Sequence, residues 1–222
     1  SRGRRVRGNA HRNNNTELGE EEMAEITAAA VRELRERTGI GMMDCKKALQ
    51  ETDGDLEQAV DFLRKQGMAA VEKRAGRDAK EGVISSYIHA GSRLGVLIEV
   101  NCETDFVART DDFQEMAKDV AMHIAAERPI AVDRDDLDAA AIERERAIYL
   151  EQAKNEGKPD HIAEKIVQGR LDKYFQDVCL MEQAFVKNPD QTIEELVTEM
   201  TAKVGEKISI GRFSCFRLGE RD

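Results

Sequence analysis

The run Gly95-Val96-Leu97-Ile98-Glu99-Val100, followed at once by Asn101-Cys102-Glu103-Thr104-Asp105-Phe106-Val107-Ala108-Arg109, constrains the fold more than any other part of the chain. The first run reads as a strand. Beyond Arg109, the residues Phe113, Met116, Ala117, Val120 and Ile124 recur at helical spacing as far as Arg128-Pro129. Thr104 to Val107 therefore occupy a strand-to-helix corner, where side chains project outward. Asp105 suits such a corner, because carboxylate oxygens accept hydrogen bonds from the free N–H groups that open a helix. Phe106 does not suit it unless the ring is tucked into the core or meets something outside the chain. The segment alone leaves two readings open, a core ring beside an ordinary cap or an exposed ring and carboxylate offered to a partner.

Upstream, residues 24–66 spell three short helices. Ile26, Thr27, Ala30, Val31 and Leu34 line one face of the first, with Glu25, Arg32, Glu33 and Glu36 on the other. Thr38-Gly39-Ile40-Gly41 ends it, since glycine reaches backbone angles that other residues avoid. The second helix runs through Met42, Cys45, Ala48 and Leu49 and is broken by Thr52-Asp53-Gly54. Asp55 and Gln58 form a capping-box-like start for the third, which buries Leu56, Ala59, Val60 and Leu63 and is closed by Gly67. Met42 and Met43 are consecutive, so they point about 100° apart on their helix and do not reach a small core equally well. Either one of them is exposed as an adaptable contact surface, or both plug gaps under the glycine-rich loop.

Residues 1–22 hold almost no apolar side chains and read as a flexible tail, so residues 1–23 are set apart from the folded chain. The basic, acid-poor opening of that tail fits a transit-peptide remnant, and equally a translated upstream region or a linker from a longer precursor. Residues 67–82, rich in Ala, Lys, Arg and Gly with a helix-like Met68-to-Arg74 segment, read as a linker. Residues 83–219 read as the main domain. Val83-Ile84-Ser85-Ser86-Tyr87-Ile88-His89, a turn at Ala90-Gly91-Ser92-Arg93, and the strand from Leu94 make a hairpin. Residues 135–156 predict a charged helix with Leu137, Ala140, Ala141, Ile148 and Leu150 inward. After Gly157-Lys158-Pro159, residues 160–181 predict another, with Ile162, Ile166, Val167, Leu171, Tyr174, Phe175 and Val178 inward. Asn188-Pro189-Asp190 reads as a turn, and Thr192 with Glu195 as a capping box for a helix through Leu196, Met200 and Val204. The closing strand, Lys207 to Arg217, places Ile208 and Ile210 out of phase with Phe213 and Cys215, which a bulge near Gly211 reconciles. The expected fold class is α+β, a small three-helix bundle followed by a three-stranded antiparallel sheet covered by helices.

Composition narrows the function classes. A net charge of −10, from 34 basic against 44 acidic side chains, disfavours direct nucleic-acid binding through phosphate neutralisation. With aromatics at 5% and no tryptophan, a base-stacking surface is also disfavoured. No apolar run approaches the roughly 18 residues that a membrane span needs. Cys45, Cys102, Cys179 and Cys215 are widely separated, indicating neither a zinc site nor a disulfide framework. No P-loop, Gly-x-Ser-x-Gly, His-Glu-x-x-His or dinucleotide fingerprint occurs, so no catalytic residue, metal ligand or cofactor is assigned and an enzyme is not expected.

Glu36-Arg37-Thr38-Gly39-Ile40-Gly41-Met42-Met43-Asp44-Cys45-Lys46-Lys47-Ala48-Leu49 and Asn101-Cys102-Glu103-Thr104-Asp105-Phe106-Val107-Ala108, in this order and at this separation, closely resemble the elongation factor Ts family, the nucleotide-exchange factors of the translational GTPase elongation factor Tu. The resemblance extends from Met23-Ala24-Glu25-Ile26-Thr27 to Phe213-Ser214-Cys215-Phe216-Arg217-Leu218-Gly219. It implies a ubiquitin-associated-like module at residues 24–66 and a partner, elongation factor Tu, in its GDP-bound and nucleotide-free forms. It further implies that Thr104, Asp105, Phe106 and Val107 form the loop associated with magnesium displacement in the GTPase, and that Arg35, Met42 and Met43 touch its nucleotide-binding domain. His123, in Asp119-Val120-Ala121-Met122-His123-Ile124-Ala125-Ala126, resembles a family histidine that approaches the GTPase, and packing within its own domain is the other reading. Compared with the longest members, the chain reads as compact after Val107, without a coiled-coil excursion or a second sheet subdomain. Pairing of two chains through an exposed sheet edge, with Cys215 on the terminal strand, would compensate. The expected compartment is the bacterial cytoplasm, with plastid stroma or mitochondrial matrix as alternatives. A docking adaptor of the same fold without exchange activity is the competing functional reading.

Overall fold

The structure, a computed structural model, describes residues 26–220. The tail expected at the N-terminus lies outside the described residues. Helix α1 (Ala28–Thr38) turns Val31 and Leu34 inward. Thr27, expected on the apolar face, is instead the N-cap, its Oγ1 accepting the Ala30 N–H at 3.2 Å. Gly39 closes the helix at φ 67, in the left-handed region that glycine reaches without a Cβ clash. Helix α2 (Met42–Glu51) buries Cys45, Ala48 and Leu49. Helix α3 (Leu56–Arg74) starts at the expected Asp55 cap, whose carboxylate accepts both the N–H and the side-chain amide of Gln58 at 2.9 Å. The Asp55 N–H is engaged by Thr52 O instead, so only half of the box forms. These three helices enclose one apolar cluster that includes Leu34, Ile40, Cys45, Leu49 and Leu63.

Strands β1 (Glu81–Ile88) and β2 (Leu94–Cys102) form the expected hairpin, with Glu81 opposite Cys102 and Ile88 opposite Gly95. A short helix α4 (Asp105–Ala108) then turns the chain into α5 (Asp111–Glu127), which lies on the sheet and carries Phe113, Met116, Ala117, Val120 and Ile124 into the main core. Full burial of a ring such as Phe113 stabilises by about 2–3 kcal/mol. Helices α6 (Ala139–Asn155) and α7 (Asp160–Val178) follow, then β3 (Ala184–Phe185), β4 (Asn188–Thr192), α8 (Ile193–Val204) and β5 (Ser209–Arg217). The main sheet is antiparallel in the order β1-β2-β5. Its β2–β5 register slips where Glu99 faces Arg212 and Val100 faces Ile210. Gly211 is thus the extra residue of the expected bulge, and it returns Ile210, Phe213 and Cys215 to one side, against the core.

Several local expectations give way to tertiary contacts. Helix α3 does not end at Gly67 but passes through it to Arg74, because α8 lies against that point. A Cβ on residue 67 would stand 3.3 Å from Thr198 Cγ2 and 3.6 Å from Ala202 Cβ. The helix expected over 135–156 begins only at Ala139, behind a 3-10 turn and an Asp138 cap. Ala140 and Ile148 are exposed, and the inward face is made by Ile142, Tyr149, Leu150 and Ala153, since sparse apolar residues on a highly charged helix leave its phase weakly marked. Helix α7 stops at Val178, where Leu180 and Met181 leave to donate to Ala131 O and Val132 O. Ile162 is exposed and Ala163 takes the inward position. Asn188-Pro189-Asp190 is not a turn but part of β4, which pairs with β3 around Val186-Lys187.

The two helices expected after Arg128-Pro129 form an arm with a seam of its own, so the chain after Val107 is less compact than expected. Helices α6 and α7 fold back on one another around their own seam of Val167, Leu171, Phe175 and Cys179. Arg134 fastens the base of this hairpin, its guanidinium 4.3 Å from the Phe175 ring centroid and paired with Glu182 and Asp172. Among the described residues, helices cover one face of the main sheet only. On the other face Ile84, Ile88, Leu97 and Phe216 are exposed.

Candidate functional site

The corner expected at Thr104 to Val107 is built by the end of β2. Cys102 is enclosed there and donates its S–H to Thr104 O at 3.1 Å, and burial pushes its thiol pKa up. Thr104, rather than Asp105, caps α4, its Oγ1 accepting the Val107 N–H at 3.4 Å. Threonine can fill this role with its backbone still extended, whereas Asp105 already has the first helical conformation. Val107 and Ala108 point into the main core. Thr110 donates its hydroxyl to Val107 O at 2.8 Å and closes the turn from the other side.

Between these anchors the two middle side chains stand outside. Phe106 is 77% exposed, so the core reading of this ring does not hold. Asp105 pairs with Arg109 at 2.7 Å on the solvent side of the turn. An exposed pair four residues apart on a helix is worth only about 0.3–0.5 kcal/mol, so the carboxylate is readily released to another partner. Exposing a phenylalanine forgoes about 2 kcal/mol of burial. Nothing in the packing of this turn requires an aromatic at that point.

Arg35, Met42 and Met43 lie on the three-helix bundle, whose apolar cluster is separate from the one beneath the corner. All three are exposed, Met42 at 47% and Met43 at 77%. The reading in which both methionines plug gaps is therefore set aside, and the pair extends from the start of α2 as one flexible apolar surface. The two segments approach one another through Lys203 on α8. Its Nζ pairs with Asp112 Oδ2 at 2.7 Å, while its Cε comes within 3.4 Å of where a Gly39 side chain would begin. One lysine thus spans from the loop before Met42 to the start of the helix after Phe106.

His123 is placed differently. It is fully buried on α5, with Nε2 3.0 Å from Gln183 Oε1 and Nδ1 accepting the Val186 N–H at 3.2 Å. That pattern requires the Nε2–H tautomer, and Gln183 in turn donates to Asp177 O at 2.8 Å. Burial holds the imidazole below its ordinary pKa, partly offset by Gln183. The ring offers no surface as folded; it ties the β3–β4 turn to α5, which is the packing alternative.

A residue that sequence reasoning missed is Glu206. Its carboxylate accepts the Thr104 N–H at 3.0 Å and the Thr104 hydroxyl at 2.7 Å. The contact joins positions 102 residues apart, so no local pattern signals it. Among the described residues no cluster of His, Cys, Asp and Glu is placed to hold a metal ion, and no helix is long and apolar enough to cross a membrane.

The family model described as Elongation factor TS matches residues 17–220. An elongation factor Ts of Geotalea daltonii is 59% identical over 195 residues, covering 88% of this chain and 90% of the relative. Those of Heliobacterium modesticaldum and Syntrophobacter fumaroxidans are each 57% identical over 195 residues, covering 88% of this chain and 91% and 98% of the respective relatives. With the match running through bundle, corner and closing strand alike, this chain belongs to the elongation factor Ts family.

Proposed function

We propose that this protein is the guanine nucleotide exchange factor of elongation factor Tu, and that it promotes GDP release by pressing Asp105 and Phe106 toward the magnesium site of the GTPase. The observation that carries the reading is the exposed Phe106 ring on a turn held at both ends, at Thr104 and at Val107. A GTPase holds GDP through backbone donors and a magnesium ion in near-octahedral geometry, a site sensitive to small displacements. A partner that binds the nucleotide-free form more tightly than the GDP form weakens GDP by the same factor, because linkage is reciprocal. Phe106 is the wedge, and Asp105 competes for the polar groups that position the metal and its waters. Thr104 and Val107 hold the turn, and Arg35, Met42 and Met43 grip the nucleotide-binding domain so that the wedge is delivered in register. His123 acts at most through the β3–β4 turn that it supports.

Release of labelled GDP from elongation factor Tu tests this reading. Wild-type protein accelerates release, and Phe106→Ala folds normally yet loses most of the acceleration. Wild-type rates from the variant would refute the wedge. A factor that binds the GTPase without changing release would be the docking adaptor instead.

The relatives named above are bacterial and the family serves translation, so we place the protein in the bacterial cytoplasm. We also assign a second copy of the chain to the open side of the sheet. Strand β5 is an edge, and its Phe216 shares with Leu97 of β2 and Ile84 and Ile88 of β1 an apolar face that no described residue covers. A single-chain mass by light scattering at working concentration would remove the dimer.

A further inference from the structure

The corner is gripped from a distance by the turn between α8 and β5. Glu206 receives both donors of Thr104, its backbone N–H and its hydroxyl. The adjacent residues repeat the grip in the opposite sense. The Lys207 N–H donates to Glu103 Oε1 at 2.7 Å, and this bond, with help from Arg77, holds the Glu103 carboxyl below the usual range. Lys207 Nζ then reaches Ala75 O at 2.6 Å and Arg77 O at 3.0 Å, carbonyls just past the end of α3. Two dipeptides, Glu103-Thr104 and Glu206-Lys207, thus clasp each other where the β2–β5 ladder ends, and the same clasp holds the chain that leaves the three-helix bundle.

We propose that Glu206 is a positioning residue for nucleotide exchange, setting the direction in which Phe106 leaves the corner. The inference rests on the exchange reading above. The Thr104 hydroxyl caps α4 only while its own proton is directed elsewhere, and Glu206 accepts that proton. With the carboxylate absent, Thr104 N–H and O–H turn to water, and Thr104 is left to hold the first turn of a four-residue helix through the 3.4 Å cap contact and the Ala108 N–H bond to its carbonyl at 3.3 Å. Charge-assisted bonds of this kind are about twice as strong as neutral ones. A wedge misdirected by about 1 Å loses rate far out of proportion to any loss of binding. The grip site is solvent-exposed, so removing the carboxylate leaves the core intact.

The test uses the full chain and elongation factor Tu carrying labelled GDP, with the release rate followed against factor concentration. Glu206→Ala lowers the maximal stimulated rate about tenfold while leaving the half-saturating concentration within about twofold, since Arg35, Met42 and Met43 still provide the grip. Glu206→Gln, which keeps one acceptor, falls between. In a Thr104→Val background Glu206→Ala costs nothing further, because the group it held is gone. In the free protein the Thr104 amide exchanges with solvent faster in Glu206→Ala while the unfolding midpoint is unchanged. A wild-type maximal rate together with wild-type amide exchange in Glu206→Ala overturns the proposal, as does a loss confined to half-saturation. Phe106→Ala measured alongside separates the two failures. If it matches wild type the wedge reading fails and the positioning role falls with it, whereas a Phe106→Ala loss without a Glu206→Ala loss overturns the positioning role alone.

Discussion

The corner at Phe106 and the interior around His123 treat their rings in opposite ways, although both belong to the same layer of sheet and helices. At the corner an apolar ring is in water while the turn that carries it is held at both ends, Thr104 by Glu206 and the Val107 carbonyl by Thr110. Around His123 a polar ring is fully enclosed, with each nitrogen satisfied by a partner from the Gln183-to-Val186 segment. The difference shows how to tell a contact residue from a structural one without a partner in view. A buried polar group with all its hydrogen bonds made is holding its own fold together. An exposed apolar group on a fastened turn stabilises nothing in its own chain, and this supports the proposal that its use lies outside it.

The sharpest way to break this contrast is His123→Ala. It strands Gln183 Oε1 and the Val186 N–H and leaves a void, so unfolding in denaturant should show a loss of about 3 kcal/mol. A loss below about 0.5 kcal/mol would mean that the ring is not part of the interior. Next comes Phe106→Ala, which should leave the denaturation midpoint unmoved and cut stimulated GDP release about twentyfold, the range of an interface hot spot of about 2 kcal/mol. An unfolding shift comparable to that of His123→Ala would erase the distinction between the two rings.

A smaller effect sharpens it further. Burial holds the His123 imidazole below its ordinary value of 6.5, so the unfolded chain binds that proton more readily than the folded one. Its contribution to stability is present above pH 6.5 and is lost as the pH falls toward the depressed folded value. Between neutral pH and a pH below 6.5, wild-type protein should lose more stability than His123→Asn, which has no proton to gain. Denaturation curves at the two pH values measure the difference, and equal losses would place the ring in contact with water.

How much of this was legible beforehand follows from the range of each interaction. The Gly39 stop, the Asp55 cap and the Thr192–Glu195 capping box act within a few residues, and the Gly211 bulge shows locally as a change of apolar phase, so each could be read from the residues around it. Gly67 was misread because its partner is another helix, and a glycine that admits a neighbour looks locally like one that ends a helix. The inward faces of α6 and α7 were blurred because a charged two-helix arm needs only a narrow apolar seam, so its pattern carries little signal. Glu206 was invisible for the plainest reason, since its partner is 102 positions away.

Periodicity, caps and turn residues were thus enough to determine the helical bundle, the hairpin, the corner and the strand that completes the sheet, because those are decided by forces acting over one or two turns of chain. Whether Phe106 faces water, whether His123 faces the core, and what holds Thr104 in place were decided only when distant segments met. Side-chain exposure and long-range hydrogen bonding belong to the packed molecule, and no stretch of sequence contains them by itself.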